Sequence, residues 1–371
     1  METYFEVKNF RGFEHLVLEQ FKLVNLVSGP NNIGKTSLLE AIFTHSAPKN
    51  IEVMLRTDAW RGLPGFELQA GGSAYGILEP SFYQMNLSRS LEFISKDKYG
   101  NKRQSKLTAS GLGTIELTAP SKITRQAEMG PTGSAVSKGL SSGRSINIGH
   151  WEYQEQEKQS RYEIWLDQRG PEIVLRVEPS PALPAFQCIF LTPRAGLNPF
   201  EDAIRYSNLR RKGKETLVLD ALRILDSSIE KLEVLTLVGA PILHVSWDSG
   251  RPLPLPLLGD GAVQLVRIIL AIGEAEKGVV LVDEIGYGFH YSVQEDLWRI
   301  ICGAAEMFNT QIFATTHSFE TITAAHKVFS EKGNCENFQY FRLDKVENRI
   351  QPVYYDKEQL ETAVNRGFEI R

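Results

Sequence analysis

The run SGPNNIGKTSLLEAIF, residues 28–43, constrains this chain more than any other stretch. It fits G-x-x-x-x-G-K-[ST] in full from Gly29 to Thr36, after the apolar run FKLVNLVSG and ahead of an amphipathic helical pattern, TSLLEAIF. Glycines at both ends let the backbone wrap a phosphate chain, so that the N–H groups of Asn31, Asn32, Ile33 and Gly34 point inward at it. The positive end of the following helix adds to that attraction. Lys35 then reaches the β and γ phosphates, the Thr36 hydroxyl binds Mg²⁺, and Ser37 touches the α phosphate. The implied ligands are ATP and Mg²⁺.

The remainder of the chain supplies the matching elements. YFEVKNF alternates as a strand before the loop, and from Phe186 onward strands alternate with helices. FQCIFLT, ILHVSW, GVVLVDE and TQIFATTHS read as strands; ETLVLDALRIL and SVQEDLWRIICGAAEMF read as helices. FQYFRLDKVENRIQPVYY reads as a hairpin turning at Glu347 and Asn348. Such alternation implies an α/β fold with a mainly parallel sheet flanked by helices. Between residues 48 and 180 the texture changes to short alternating runs such as SLEFI, GTIELTA, YEIWL and EIVLRV, separated by glycine- and serine-rich links. That segment is expected to be a β-rich insertion lobe in a core formed by residues 1–47 and 181–371. Its least ordered part is expected over residues 126–149, where MGPTGSAVSKGLSSG buries little apolar surface.

GVVLVDE ends a buried strand in two acids. In a phosphate site Asp283 would hold Mg²⁺ through water, and Glu284 would polarise the attacking water. QIFATTHS ends in His317, one helix further on, where a neighbouring strand would end facing the γ phosphate.

With NFRGF, GPNNIGKTSLLEAI, LLGDGAVQLVRIILAI, VDEIGYGFHYS and QIFATTHS in this order, the chain resembles the ABC-type P-loop ATPases. Within them it looks most like the OLD-like branch, the overcoming-lysogenization-defect proteins and their stand-alone relatives. The resemblance implies a composite site, completed by the signature motif of a second subunit, in which ATP joins a head-to-head homodimer. The signature falls at Leu258, Gly259, Asp260, Gly261 and Ala262, with Gly259 and Ala262 where transporter ATPases carry serine and glutamine. His290 stands where those carry aspartate, which OLD-like proteins also replace by histidine; a dimer contact and a packing role are both open to it. Arg11, in NFRGF, is placed to approach the nucleotide as the early arginine of SMC-like heads does. The glutamine-loop residue is not placed, although Gln187 lies in range.

OLD proteins often carry a C-terminal TOPRIM nuclease, and the tail after His317 is short and lacks D-x-D. The expectation is therefore an ATPase that controls a separately encoded nuclease or toxin, in phage defence or a toxin–antitoxin system. The alternatives are a non-turnover, ATP-gated binding module and a DNA-binding ATPase of the DNA-repair type. A net charge of −4 argues against a strongly basic nucleic-acid protein. The runs KDKYGNKRQSK (96–106) and RYSNLRRKGK (205–214) leave DNA contact open, the first as a hairpin tip and the second as a helix ending in a turn. No apolar run approaches the ~20 residues of a membrane span, and the start does not read as a signal peptide. Cys188, Cys302 and Cys335 lack metal-ligand spacing, so a cytoplasmic setting is expected.

Overall fold

The computed structural model describes residues 1–47, 50–63, 67–68, 74–110, 121–125, 145–169, 172–179, 186–248, 250–331, 337–347 and 349–366. The run MGPTGSAVSKGLSSG, the expected strand GTIELTA, Pro48, Pro181, Cys335 and Asn348 lie outside them.

In chain order the elements begin with β1 (Glu2–Phe10), β2 (Phe13–Glu19), β3 (Val24–Ser28), α1 (Lys35–Ser46) and α2 (Glu52–Trp60). There follow β4 (Glu67–Leu68), β5 (Leu91–Asp97), β6 (Lys102–Ala109), β7 (Ser121–Arg125), β8 (Ser145–Glu155), β9 (Lys158–Arg169) and β10 (Glu172–Glu178). Next come β11 (Cys188–Leu191), α3 (Pro199–Arg211), α4 (Thr216–Leu225), β12 (Lys231–Leu237), β13 (Ala240–Ser246) and β14 (Leu253–Pro254). The chain continues with α5 (Asp260–Glu274), β15 (Val279–Val282), α6 (Gln294–Phe308), β16 (Gln311–Thr315) and α7 (Phe319–Glu331). It closes with β17 (Phe338–Val346), β18 (Arg349–Tyr355) and α8 (Lys357–Arg366). Among the described residues no helix is long and apolar enough to cross a membrane.

Two compact units emerge. The first comprises Met1–Tyr4, Leu18–Leu39 and Phe186–Arg371. Its main sheet runs β11-β15-β16-β3-β17-β18. Each neighbour pair from β11 to β17 is parallel, and only β18 runs antiparallel. β3, β15 and β16 are buried at every position, which is why their sequences are unbroken apolar runs rather than alternations. The expected α/β architecture, a mainly parallel sheet flanked by helices, is thus present. α5 is its central helix, buried from Ala262 to Gly273. One expected strand lies elsewhere: ILHVSW falls in β13, in a separate antiparallel sheet of order β12-β13-β14. The tight turn at Val238 and Gly239, both at positive φ, folds β13 back on β12 and removes it from the parallel sheet.

The second unit comprises Phe5–Val17 and Glu40–Ala185 and carries a nine-stranded sheet, β2-β1-β5-β6-β8-β9-β10-β7-β4. Residues 5–17 and 40–47, expected with the core, therefore group with the β-rich segment, because β1 pairs with β5. Phe10 and Phe93 pack edge to face at 5.2 Å in its core. His45 is fully enclosed between the hydroxyls of Ser105 (2.7 Å) and Ser95 (3.0 Å), and burial pushes its imidazole down to about 3. It is a neutral core group. α2 adds a helix to the β-rich segment; its Val53, Met54 and Leu55 are buried. α1 differs from expectation. Its residues from Ser37 to Ser46 are buried on every side, including Glu40, Thr44 and His45.

The cost of burying Glu40 is offset by arginines. Arg61 donates from Nε and Nη2 to the two Glu40 carboxylate oxygens, at 2.8 and 2.7 Å. Arg11, whose side chain is 7% exposed, lies 3.1 Å from Glu40 and donates to Thr57 (2.8 Å) and Asp58 (2.9 Å). Desolvation dominates even so, lifting the Asp58 carboxyl to about 6. Truncating one member of a buried ion network leaves the others uncompensated, at roughly 3–5 kcal/mol. Arg11→Ala is therefore expected to lower the calorimetric melting temperature by several degrees. An unchanged melting profile would show that the cluster does not support the fold.

Candidate nucleotide-binding site

The parallel register places the ends of β3, β16 and β15 side by side, with Leu26, Ala314 and Val282 in adjacent rows. Each strand continues at that edge into a segment expected to carry chemistry. β3 leads into the phosphate loop, β15 into Asp283 and Glu284, and β16 into His317.

The loop has the shape its glycines allow. Gly29 and Gly34 take φ values of 139° and 105°, and Asn32 takes 64°. A Cβ on Gly29 would sit 2.6 Å from the carbonyl oxygen of Leu343, so the loop's first position admits no side chain. Lys35, 7% exposed, donates from Nζ to the carbonyls of Gly29 (2.7 Å) and Pro30 (3.1 Å). Burial holds its ammonium below the usual lysine range, opposed by the carboxylates of Glu284 and Asp283. Asn31 and Asn32 are exposed, whereas Ile33 and Ser37 are buried. Thr36 donates its hydroxyl to both oxygens of Asp283, each at 3.1 Å.

Asp283 is 4% exposed and receives a second hydroxyl, from Thr315 at 2.7 Å. Thr315 in turn accepts the backbone N–H of Glu284 at 2.9 Å. Glu284 sits at φ 54°, a left-handed conformation uncommon for a residue with a side chain. Its carboxylate lies 2.7 Å from Nδ1 of His317. Thr315 is the site residue that motif reading missed. The available signal was its position as the last residue of a buried strand, directly before the THS segment. Alternation along β16 cannot reveal it, because every residue there is buried.

The loop after the acids packs against the start of α5. Gly259 caps α5 at φ 112°, and a Cβ on Gly261 would meet the Gly288 carbonyl oxygen at 2.6 Å. The Tyr287 hydroxyl donates to Asp260 at 3.4 Å. Gly259, Asp260 and Gly261 thus form one surface with the segment leading to His290. His290 is exposed and accepts the Ser292 N–H at Nδ1, 3.4 Å away, capping the turn Tyr291–Val293. Arg11 belongs to the other unit, inside the Glu40–Asp58 cluster, where its guanidinium is occupied by carboxylates. Gln187 is exposed at the opening end of β11, where its carbonyl accepts the Val279 N–H at 2.8 Å. A parallel strand presents its closing end to the site, so Gln187 does not supply the glutamine loop.

Residues 1–109 match a family model described as "AAA ATPase domain", and residues 196–323 match one described as "AAA domain, putative AbiEii toxin, Type IV TA system". An "ATP/GTP phosphatase" of Helicobacter pylori is 22% identical over 96% of this chain and 95% of its own length. The DNA replication and repair protein RecF of Nitrosococcus oceani is 49% identical over 41 residues, 11% of each chain. Among solved structures, the Smc head domain with an extended coiled coil, from Pyrococcus furiosus and bound to the C-terminal domain of ScpA, aligns with 98% of both chains. Its TM-score is 0.51 and its identity 10%. That likeness establishes the fold, a P-loop nucleoside triphosphatase fold of the kind found in SMC heads. The two matched segments, 1–109 and 196–323, are thus each similar to AAA-type ATPase domains, and the fold that carries them is of the P-loop, SMC-head kind.

Proposed function

We propose that this chain is a Mg²⁺-dependent ATPase of the OLD-like branch. Its ATP-bound heads pair as a homodimer and control a separately encoded nuclease or toxin. The observation that carries the hydrolytic part is the network Thr36–Asp283–Thr315–Glu284–His317, assembled from three adjacent strand ends beside the phosphate loop.

Each residue takes a role that its contacts suit. The loop N–H groups and Lys35 bind the phosphates, and Lys35 offsets charge that develops on the transferred phosphoryl group. Glu284 accepts a proton from the attacking water while His317 holds its carboxylate in place. Thr36 and Asp283 offer hydroxyl and carboxylate oxygens 3.1 Å apart, the hard donors that Mg²⁺ prefers. Among the described residues no set of three His, Cys, Asp or Glu side chains is placed to hold a metal ion. Mg²⁺ bound largely through nucleotide phosphates needs only one or two protein oxygens, so the donor set fits. When bound, it neutralises charge on the β and γ phosphates.

The composite-dimer part is supported by the surface that Gly259, Asp260 and Gly261 share with the His290 loop. That surface presents a helix start suited to a γ phosphate from a second subunit. Control of a toxin, in a toxin–antitoxin or phage-defence setting, is supported by the likeness of residues 196–323 to the AAA domain family of the AbiEii toxin type. Phosphate release by the purified chain with ATP and Mg²⁺, alone and with the product of the neighbouring reading frame, tests the proposal. Absence of ATP binding and turnover in both preparations would refute it. Turnover requiring duplex DNA but no protein partner would favour the DNA-repair type instead.

Thr315→Val tests the positioning of the acids. Valine keeps the shape and the packing but removes the hydroxyl that joins Asp283 to the Glu284 backbone. Loss of a hydrogen bond to a charged group costs about 1.5–3 kcal/mol, hence roughly a ten- to hundredfold drop in kcat. Thr315→Ser should restore most of it. Equal turnover by Val and Thr would remove Thr315 from the site.

A further inference from the structure

Arg267 lies in the middle of α5 and its side chain is only 10% exposed. Among the described residues its guanidinium makes no hydrogen bond, and its Nε is buried without a partner. The nearest carboxylate is Asp202, at 3.9 Å, which is also shared with Arg205 at 3.8 Å. An arginine compensated this thinly is costly, since its Nε has left water for little return.

Arg267 lines a cleft of about 170 Å³ together with Gln264, Asp260, Tyr287, Pro193 and Gly196. Gln264 precedes Arg267 by three positions and so shares its helix face. It is 9% exposed, and among the described residues its amide makes no hydrogen bond either. Two polar side chains of a largely buried helix face thus line one space, and among the described residues neither head makes a hydrogen bond there. Water alone would leave the arginine's charge weakly compensated. An oxyanion would accept from the planar guanidinium in bidentate fashion and from the Gln264 amide alongside.

We propose that this cleft is a binding site for a small ligand bearing a carboxylate or phosphate group, held by Arg267 and Gln264. Leu197 and Val263 supply the apolar part of its lining. The cleft is separate from the phosphate loop, and its ligand is recognised whether or not the chain hydrolyses ATP.

The test is isothermal titration of the full-length chain with inorganic phosphate and with acetate. It is performed in the Lys35→Ala background so that phosphate does not report on the loop. Saturable binding of either probe in the millimolar range or tighter is expected, and the probe that binds identifies the group. Arg267→Gln should weaken it at least about tenfold, the worth of one lost charge-assisted hydrogen bond. Gln264→Leu should weaken it by a smaller factor with an unchanged melting temperature, and it carries the test if Arg267→Gln fails to fold. Failure of both probes to bind saturably would overturn the proposal. So would binding that survives both substitutions unaltered, as it would if Arg267 served only to pair with Asp202.

Discussion

Glu284→Gln is expected to reduce ATP turnover by about a hundred- to ten-thousandfold, the usual worth of a positioned general base, while leaving ATP binding intact. The geometry makes that separation sharp. Glu284 is held in a left-handed backbone conformation by the Thr315 hydroxyl on its N–H and by His317 on its carboxylate. Strain of this kind persists only where the surroundings over-determine it, and it clusters at functional sites. Glutamine preserves the shape and can still meet the His317 ring, so the loop and the acid Asp283 stay in place. What is lost is the carboxylate that takes the proton. If ATP joins two heads, slowing hydrolysis should also trap the joined state, read by light scattering as a doubling of mass with ATP and Mg²⁺. Turnover equal to that of the unaltered chain would exclude Glu284 as the base. Slowed turnover without any mass change would exclude the ATP-joined dimer while keeping the base assignment.

The sequence reveals this site readily because its parts sit on strands that water never reaches. β3, β15 and β16 are buried throughout, and such strands leave an apolar run with a polar tip, visible without any knowledge of neighbours. The tips, Gly29 to Thr36, Asp283–Glu284 and His317, were therefore readable. Thr315 was not, because a threonine inside an apolar run looks the same whether it packs or bridges two acids. α1 looked amphipathic because Glu40 is charged; only the fold shows that Arg11 and Arg61 satisfy it inside. The same holds for Arg11. Its partner Asp58 is 47 residues away, a separation at which no local pattern signals an ion pair. β12 was overlooked for a different reason. Leu235 and Leu237 are exposed apolar residues near its end, so KLEVLTL lacks the alternation that marks a half-buried strand.

Lys35→Ala should act one step earlier than Glu284→Gln, removing ATP binding itself. Lys35 is a cation kept almost wholly out of water, with its ammonium held by two carbonyls of its own loop and facing the carboxylates of Asp283 and Glu284. A triphosphate offers the ammonium stronger, charged acceptors than those carbonyls, so exchange of partners on binding is favourable. Alanine forfeits those contacts, each worth about 1.5–3 kcal/mol, and affinity should fall by about a hundredfold or more. Turnover should fall further, because the charge that develops on the transferred phosphoryl group loses its nearest compensation. The readout is thermal. For a chain that binds ATP, nucleotide at about a hundred times Kd adds about 2.7 kcal/mol to the folded state, which raises the melting temperature. Glu284→Gln should show that rise in full and Lys35→Ala should show none at the same nucleotide concentration. A Lys35→Ala protein stabilised by ATP as strongly as the unaltered chain would mean that the loop between β3 and α1 is not where the nucleotide is gripped, and the site would have to be sought elsewhere.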